Sequence, residues 1–115
     1  MEKISKDLTA ASSIPVILGI LSKGESYGYE IIQEVKLLSS EKITWTDGML
    51  YPVLHKLEKK GLISSTWKSG ENGRRRKYYQ ITSAGKKAQT QEMEQWKLVN
   101  TMLNKLWNPY LDTSS

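Results

Sequence analysis

Apolar residues recur three or four positions apart in three segments of the N-terminal half of the chain. This spacing is typical of helices that bury one face. The first segment predicts a helix over residues 3–21 and is marked by Ile14, Ile17, Leu18 and Leu21. The second predicts a helix with Ser26 as its N-cap and is marked by Tyr27, Ile31, Val35 and Leu38. The third predicts a helix that begins at Thr46, ends at Gly61 and is marked by Leu50, Val53, Leu54 and Leu57.

Two prolines fall inside these helical patterns. Because proline cannot donate the helical hydrogen bond, Pro15 predicts one of two outcomes. Either the first helix is kinked, or a new helix starts there with Ser12 or Ser13 as its N-cap. Pro52 predicts a bend in the first turns of the third helix.

Beyond Gly61 the pattern changes from helical spacing to alternation, which is typical of strands. Residues 63–68 and 75–81 predict two strands, and the second of these places Tyr79 and Ile81 on one face. The Asn72-Gly73 pair is a turn signal, so the two strands are expected to form a hairpin. Thr82 then caps a long predicted helix that runs to about Trp107.

The order helix, helix, helix, hairpin, helix is that of a winged helix-turn-helix. The expected fold is mainly α with a two-stranded β-wing and a long C-terminal helix. We expect residues 1–81 to form the DNA-binding domain, residues 82–108 a dimerisation helix and residues 109–115 a polar tail.

The distribution of charge along the chain indicates which class of partner this fold binds. The net charge of +5 and the pI of about 9.4 favour a polyanion only weakly. The hairpin is more informative, since it holds five basic residues between Lys68 and Lys77 against one acid, Glu71. Arginine suits phosphate groups and narrow minor grooves, which favours double-stranded DNA. RNA or another polyanion is the alternative, but a two-stranded hairpin has little room for the exposed aromatic platform typical of RNA readers.

The third helix has the character of a recognition helix, since beyond Asp47 in its first turn only one acid, Glu58, interrupts its polar face. The alternative is an ordinary solvated helix face. The residues predicted to contact DNA on this helix are Thr46, Gly48, Met49, Tyr51, Pro52, His55, Lys56 and Lys59. Those predicted on the wing are Lys68, Arg74, Arg75, Arg76, Lys77 and Tyr78.

The last helix is longer than a winged helix requires, and its apolar stripe predicts a partner. Four residues of this helix lie at 3-4-3 spacing, which resembles a short coiled-coil seam: Trp96, Val99, Leu103 and Leu106. Together with Ile14 and Leu18 of the first helix, they form the predicted interface of a homodimer. Trp96 is either a core residue of this interface or, with Met93 and Val99, a platform for a flat aromatic ligand at the dimer centre.

Enzymatic chemistry is excluded by the residue inventory. The chain has no cysteine and one histidine, His55, so no metal site, thiol nucleophile or catalytic triad is expected. No cofactor is expected either. The longest apolar run, residues 14–21, is far shorter than the roughly 20 residues that span a bilayer. A cytoplasmic location without membrane contact is therefore expected.

Several motifs together resemble the PadR family of bacterial transcriptional regulators. The matching segments are Tyr27–Ile31, Met49–Glu58, Gly61–Ile63, Gly73–Tyr79 and Ile81-Thr82. The resemblance runs from about Leu18 to Trp107, and the single last helix is similar to the small subfamily of the multidrug-sensing repressor LmrR. Pro15 departs from the family pattern.

This resemblance implies a dimer joined through the first and last helices that represses transcription from a pseudo-palindromic operator. It also implies that Trp96 stacks on planar drugs in a central pore, which makes the chain a sensor whose ligand relieves repression. A winged-helix module that binds proteins and not DNA is the alternative function, and the basic wing argues against it.

Overall fold

The computed structural model describes residues 4–70 and 72–108. The predicted polar tail lies outside these residues. The helices and strands, in chain order, are α1 (Lys6–Leu21), β1 (Ser26–Tyr27), α2 (Gly28–Leu38), α3 (Asp47–Lys59), β2 (Ile63–Ser69), β3 (Arg75–Ile81) and α4 (Ser83–Trp107). The predicted fold class, mainly helical with an antiparallel wing and a long C-terminal helix, is confirmed.

The first helix is continuous through Pro15 and begins later than predicted. Ser5 is its N-cap, and the Ser5 hydroxyl accepts a hydrogen bond from the backbone N–H of Leu8 at 3.1 Å. Ser12 and Ser13 do not cap a new helix, because their hydroxyls donate to backbone carbonyls in the preceding turn. A helix start at either serine is therefore wrong, and so is a start at residue 3.

The sheet has three strands and not two, in the order β1-β3-β2. Ser26 and Tyr27 form the third strand by pairing antiparallel with Tyr79 and Tyr78 of β3. The Ser26 hydroxyl donates to Glu30 Oε1 at 2.6 Å, so it does not cap α2 as predicted. Tyr27 occupies the N-cap position and makes no side-chain capping bond. The short strand attaches the wing to the helical body.

The core forms where α3 packs on α1 and α2. The α3 stripe is buried as predicted at Leu50, Leu54 and Leu57, which have no exposed surface. Its neighbours in the core include Ile17, Leu18, Leu21 and Ile31. The predicted stripe of α2 fails at its end, because Leu38 is 62% exposed in the last turn, beyond the reach of the core.

The start of α4 is fixed against the turn between α3 and β2. Thr82 caps α4 by accepting from the backbone N–H of Gly85, while its hydroxyl donates to the carbonyl of Gly61 at 2.7 Å. Gly85 is buried, and a Cβ there would lie 2.0 Å from the carbonyl oxygen of Leu62. Glycine is therefore needed for this close packing. Within the described residues, no helix is long and apolar enough to cross a membrane.

Candidate nucleic-acid interface

Seven of the eight residues predicted to contact DNA from the third helix lie on the exposed face of α3 or at its N-cap. Thr46 caps the helix by accepting from the backbone N–H of Met49 at 3.2 Å. The exposed residues of the predicted set are Thr46, Gly48, Tyr51, Pro52, His55, Lys56 and Lys59. Met49 is only partly exposed, because it packs against the core. The helix therefore presents cations and hydrogen-bonding groups along one side and its apolar stripe along the other.

Tyr51 is positioned by a contact that the sequence pattern did not indicate. Its hydroxyl lies over Gly28 at the start of α2, where a Cβ would come within 2.2 Å of the oxygen. Gly28 therefore makes room for the ring, which stays 43% exposed. Tyr51 also lies near the buried Tyr79. Burial raises the pKa of Tyr79, with smaller contributions from Tyr51 and Glu58, so Tyr79 stays neutral at physiological pH.

Glu58 links α3 to the hairpin. Its carboxylate accepts a hydrogen bond from the Ser65 hydroxyl of β2. The same carboxylate lies 3.8 Å from the Lys77 ammonium of β3. Both members of the ion pair are about one-third exposed, so the pair itself stabilises the fold only slightly. Its structural effect is to hold the hairpin against the C-terminal part of α3.

The register of the hairpin divides its side chains between two faces. In an antiparallel pair, residues directly opposite each other share a face. We call one the helix-side face, because it contains the buried Tyr79 and the link to Glu58; its outer pairs are Ser65–Tyr79, Trp67–Lys77 and Ser69–Arg75. We call the other the distal face; its pairs include Thr66–Tyr78 and Lys68–Arg76.

The distal face is occupied by a cluster of cations and tyrosine rings. Tyr27 of β1 and Tyr78 of β3 meet edge to face, with ring centroids 5.2 Å apart. The Arg76 guanidinium lies 4.5 Å from the centroid of Tyr27, and the Lys68 ammonium lies 5.3 Å from that of Tyr78. Lys68 also forms an ion pair with Glu25. These cations, which the sequence assigned to DNA, have partners within their own chain.

On the helix-side face, the cation nearest the hairpin turn is Arg75. Arg75 is exposed, and its guanidinium carbon lies 5.8 Å from the ring centroid of Trp67. Trp67 itself is 56% exposed. Trp67 was not among the residues predicted to contact DNA. Its place on the same strand face as Ser65, opposite the basic Lys77, could have indicated it. Arg74, in the turn, is also exposed.

The predicted ligand residues of α4 lie together around one open cavity of about 360 Å³. Its lining comprises Met93, Trp96, Lys97, Val99, Asn100 and Leu103. Trp96 is partly buried, whereas Leu106 is 75% exposed. The prediction that Leu18 lies in the dimer interface is wrong, because Leu18 is fully buried in the core of its own chain and has no surface for a partner. Ile14 is partly buried and lines a separate groove of about 1090 Å³ between α1, residues 41–46 and α3.

Among the described residues, no group of histidine, cysteine, aspartate or glutamate side chains is arranged to hold a metal ion. His55 is exposed on α3 beside Lys56. The site built by α3 and the hairpin is thus an extended polar and cationic surface.

Comparison with known proteins identifies the family. Residues 17–91 match the model of the family described as Transcriptional regulator PadR-like family. The chain belongs to the PadR-like family of transcriptional regulators. As a PadR-like protein it is a regulator and not an enzyme. The predicted family is confirmed.

Solved structures support the same assignment. A transcriptional regulator from Clostridium thermocellum is 35% identical, with a TM-score of 0.80 over 90% of this chain and 100% of that one. A PadR-like regulator from Bacillus cereus is 30% identical, with a TM-score of 0.79 over 90% of this chain and 98% of that one. The transcriptional regulator YqjI of Escherichia coli is 33% identical over 73% of this chain, which corresponds to 39% of YqjI.

The distal cluster predicts an energetic coupling in this PadR-like fold that does not depend on DNA. We expect Arg76→Ala and Tyr27→Leu to be coupled by about 0.5–1 kcal/mol in the free energy of unfolding, because each removes the other's cation–π partner. Urea denaturation of both single variants and the double variant, at one fixed protein concentration, measures the coupling.

The matched control is the same cycle with Arg74→Ala, since Arg74 is exposed in the turn. That cycle should give no coupling. A coupling energy between Arg76 and Tyr27 that is no larger than the one between Arg74 and Tyr27 would show that the contact of Arg76 with the Tyr27 ring does not stabilise the wing.

Proposed function

We propose that this PadR-like chain is a homodimeric repressor that acts in the cytoplasm and binds a pseudo-palindromic operator through α3 and the wing. The observation that carries the proposal is the Glu58 link, which joins the exposed face of α3 and the helix-side face of the hairpin into one cationic surface. A helix can read base edges in the major groove while an adjacent basic hairpin contacts the flanking backbone. An operator occupied in this way is closed to RNA polymerase.

Two substitutions test the surface. We expect Arg75→Ala and Lys56→Ala each to weaken binding to the operator and to reduce the slope of log affinity against log salt by about one, because each removes a phosphate contact. Footprinting on the region upstream of the coding sequence locates the operator. Fluorescence anisotropy with that fragment then measures affinity over a range of salt concentrations.

Lys105→Ala is the charge-matched control, since Lys105 lies in the last turn of α4, away from this surface. It should leave the affinity unchanged. Run-off transcription from the same fragment should fall as occupancy rises, and a rise would contradict repression. Unchanged affinity in both test variants would contradict the surface. Wild-type protein without salt-sensitive duplex binding would favour the protein-interaction module.

The dimer part of the proposal is supported by the exposed apolar side of α4. Val99, Met102 and Leu106 are 40–75% exposed, which is unusual for large apolar side chains on one helix. The groove beside Ile14 offers the α4 helix of a second copy an apolar surface. Two DNA-binding surfaces related by a two-fold axis suit a pseudo-palindrome about one helical turn apart.

We expect Leu103→Glu to convert the dimer to a monomer, because it places a charge in the middle of the apolar stripe. Sedimentation velocity at concentrations where the wild type is dimeric measures the change, and the 13.1 kDa chain mass identifies the monomer. Thr101→Glu, on the opposite side of α4, is the matched control and should remain dimeric. Dimeric Leu103→Glu would place the interface elsewhere.

We further propose a planar aromatic or cationic effector that binds against Trp96 and relieves repression, as in the LmrR-like subfamily. The open cavity beside Trp96 supports this proposal, because Met93 and Val99 supply adaptable apolar walls for a flat ring. Two copies at a dimer centre would present two indole rings to one ligand.

Planar cationic dyes should quench the tryptophan fluorescence of the wild type, and Trp96→Ala should abolish this quenching. Trp107→Ala, which removes the exposed tryptophan at the end of α4, is the control and should retain it. Fluorescence titration measures both. Quenching that persists in Trp96→Ala would remove this residue from the effector site.

A further inference from the structure

Trp67 is an exposed aromatic residue that the fold does not explain. Its side chain is 56% exposed on β2, although indole is large and mostly apolar. It does not belong to the core, which ends on this face at Ile63 and Tyr79. A residue of this size on an exposed hairpin is well placed to meet a partner, because interfaces are enriched in exposed tryptophan.

The surroundings of Trp67 specify the charge of that partner. Arg75 lies 5.8 Å from its ring centroid, and Lys77 is its cross-strand neighbour on the same face. This face continues directly from α3, because Glu58 binds both Ser65 and Lys77. The apolar ring is therefore flanked by cations on the side of the hairpin that faces the recognition helix. An anionic partner with apolar patches fits such a surface.

The two faces of the hairpin differ in how far their cations and aromatic rings are held by other residues of the chain. On the distal face, Lys68 and Arg76 are held by Glu25 and by the rings of Tyr78 and Tyr27. The distal tyrosine rings lie within this cluster, while the Trp67 ring lies at the edge of the structure with Arg75 over it. Only the helix-side face thus combines an exposed ring with an exposed arginine.

We propose that Trp67 contacts the sugar–phosphate backbone of duplex DNA beside the recognition helix. The indole packs against a deoxyribose, and its Nε1–H donates to a phosphate oxygen. This inference rests on the proposed function and deepens it, because it names a contact that carries no charge and reads no base. Such a contact adds affinity without adding to the salt dependence.

The test compares Trp67→Thr with the wild type on the fragment that the wild type protects in footprinting. Threonine suits a strand but has no ring, so the affinity should fall about tenfold while the salt slope stays unchanged. Trp67→Phe keeps a ring without the indole N–H and should lose only about threefold. Thr66→Ala, one position away on the distal face, is the matched control and should bind like the wild type.

A second measurement does not depend on the folding of Trp67→Thr. Acrylamide quenching of the wild type and of Trp67→Phe, with and without the duplex, isolates the signal of Trp67 by difference. The duplex should shield it. Absence of shielding overturns the inference, as does wild-type affinity in Trp67→Thr.

The remaining outcomes separate the inference from the proposed function. A tenfold loss accompanied by a salt slope lower by about one would show that Trp67 acts only by orienting Arg75, and it would overturn the direct contact. Wild-type protein that binds no duplex overturns the proposed function and this inference together. Wild-type protein that binds the duplex, with Trp67→Thr unaffected, overturns the inference alone.

Discussion

The burial of one stripe of α3 is the constraint on which the rest of the structure depends. Leu50, Leu54 and Leu57 have no exposed surface, and the burial of their apolar side chains stabilises the packing of α3. Because the stripe faces α1 and α2, the opposite side of α3 must face solvent. Tyr51 and Lys56 are exposed for this reason. The exposed polar face of α3 is thus a consequence of how the core packs.

The wing places like charges on adjacent residues, and its structure reduces their mutual repulsion. Alternation sends Arg75 and Lys77 to the helix-side face and Arg76 to the distal face. Glu58 faces Lys77, and the Tyr27 ring faces Arg76. The first contact joins the hairpin to α3, and the second joins it to β1.

The spacing of apolar residues predicted the helices and the strands of the hairpin. The residue type of Thr82 predicted its role as a helix cap. Strand β1 could not be predicted, because two residues carry no alternation and Ser26 has the composition of an N-cap. The exposure of Leu38 and the full burial of Leu18 depend on where the core ends, which spacing does not state. The contacts of Trp67 with Arg75 and of Tyr51 with Gly28 depend on strand register and helix packing, so only the structure reveals them.

The junction between β3 and α4 connects the winged helix to the long C-terminal helix. Thr82 donates to the carbonyl of Gly61, and Gly85 packs so closely on Leu62 that no Cβ fits between them. The start of α4 is therefore fixed to the turn that follows α3. Bending at this junction would break the buried packing of Gly85 on Leu62, so the start of α4 is held in a fixed direction. In the proposed dimer, a molecule that changes how the two α4 helices pack would therefore change the spacing of the two α3 helices.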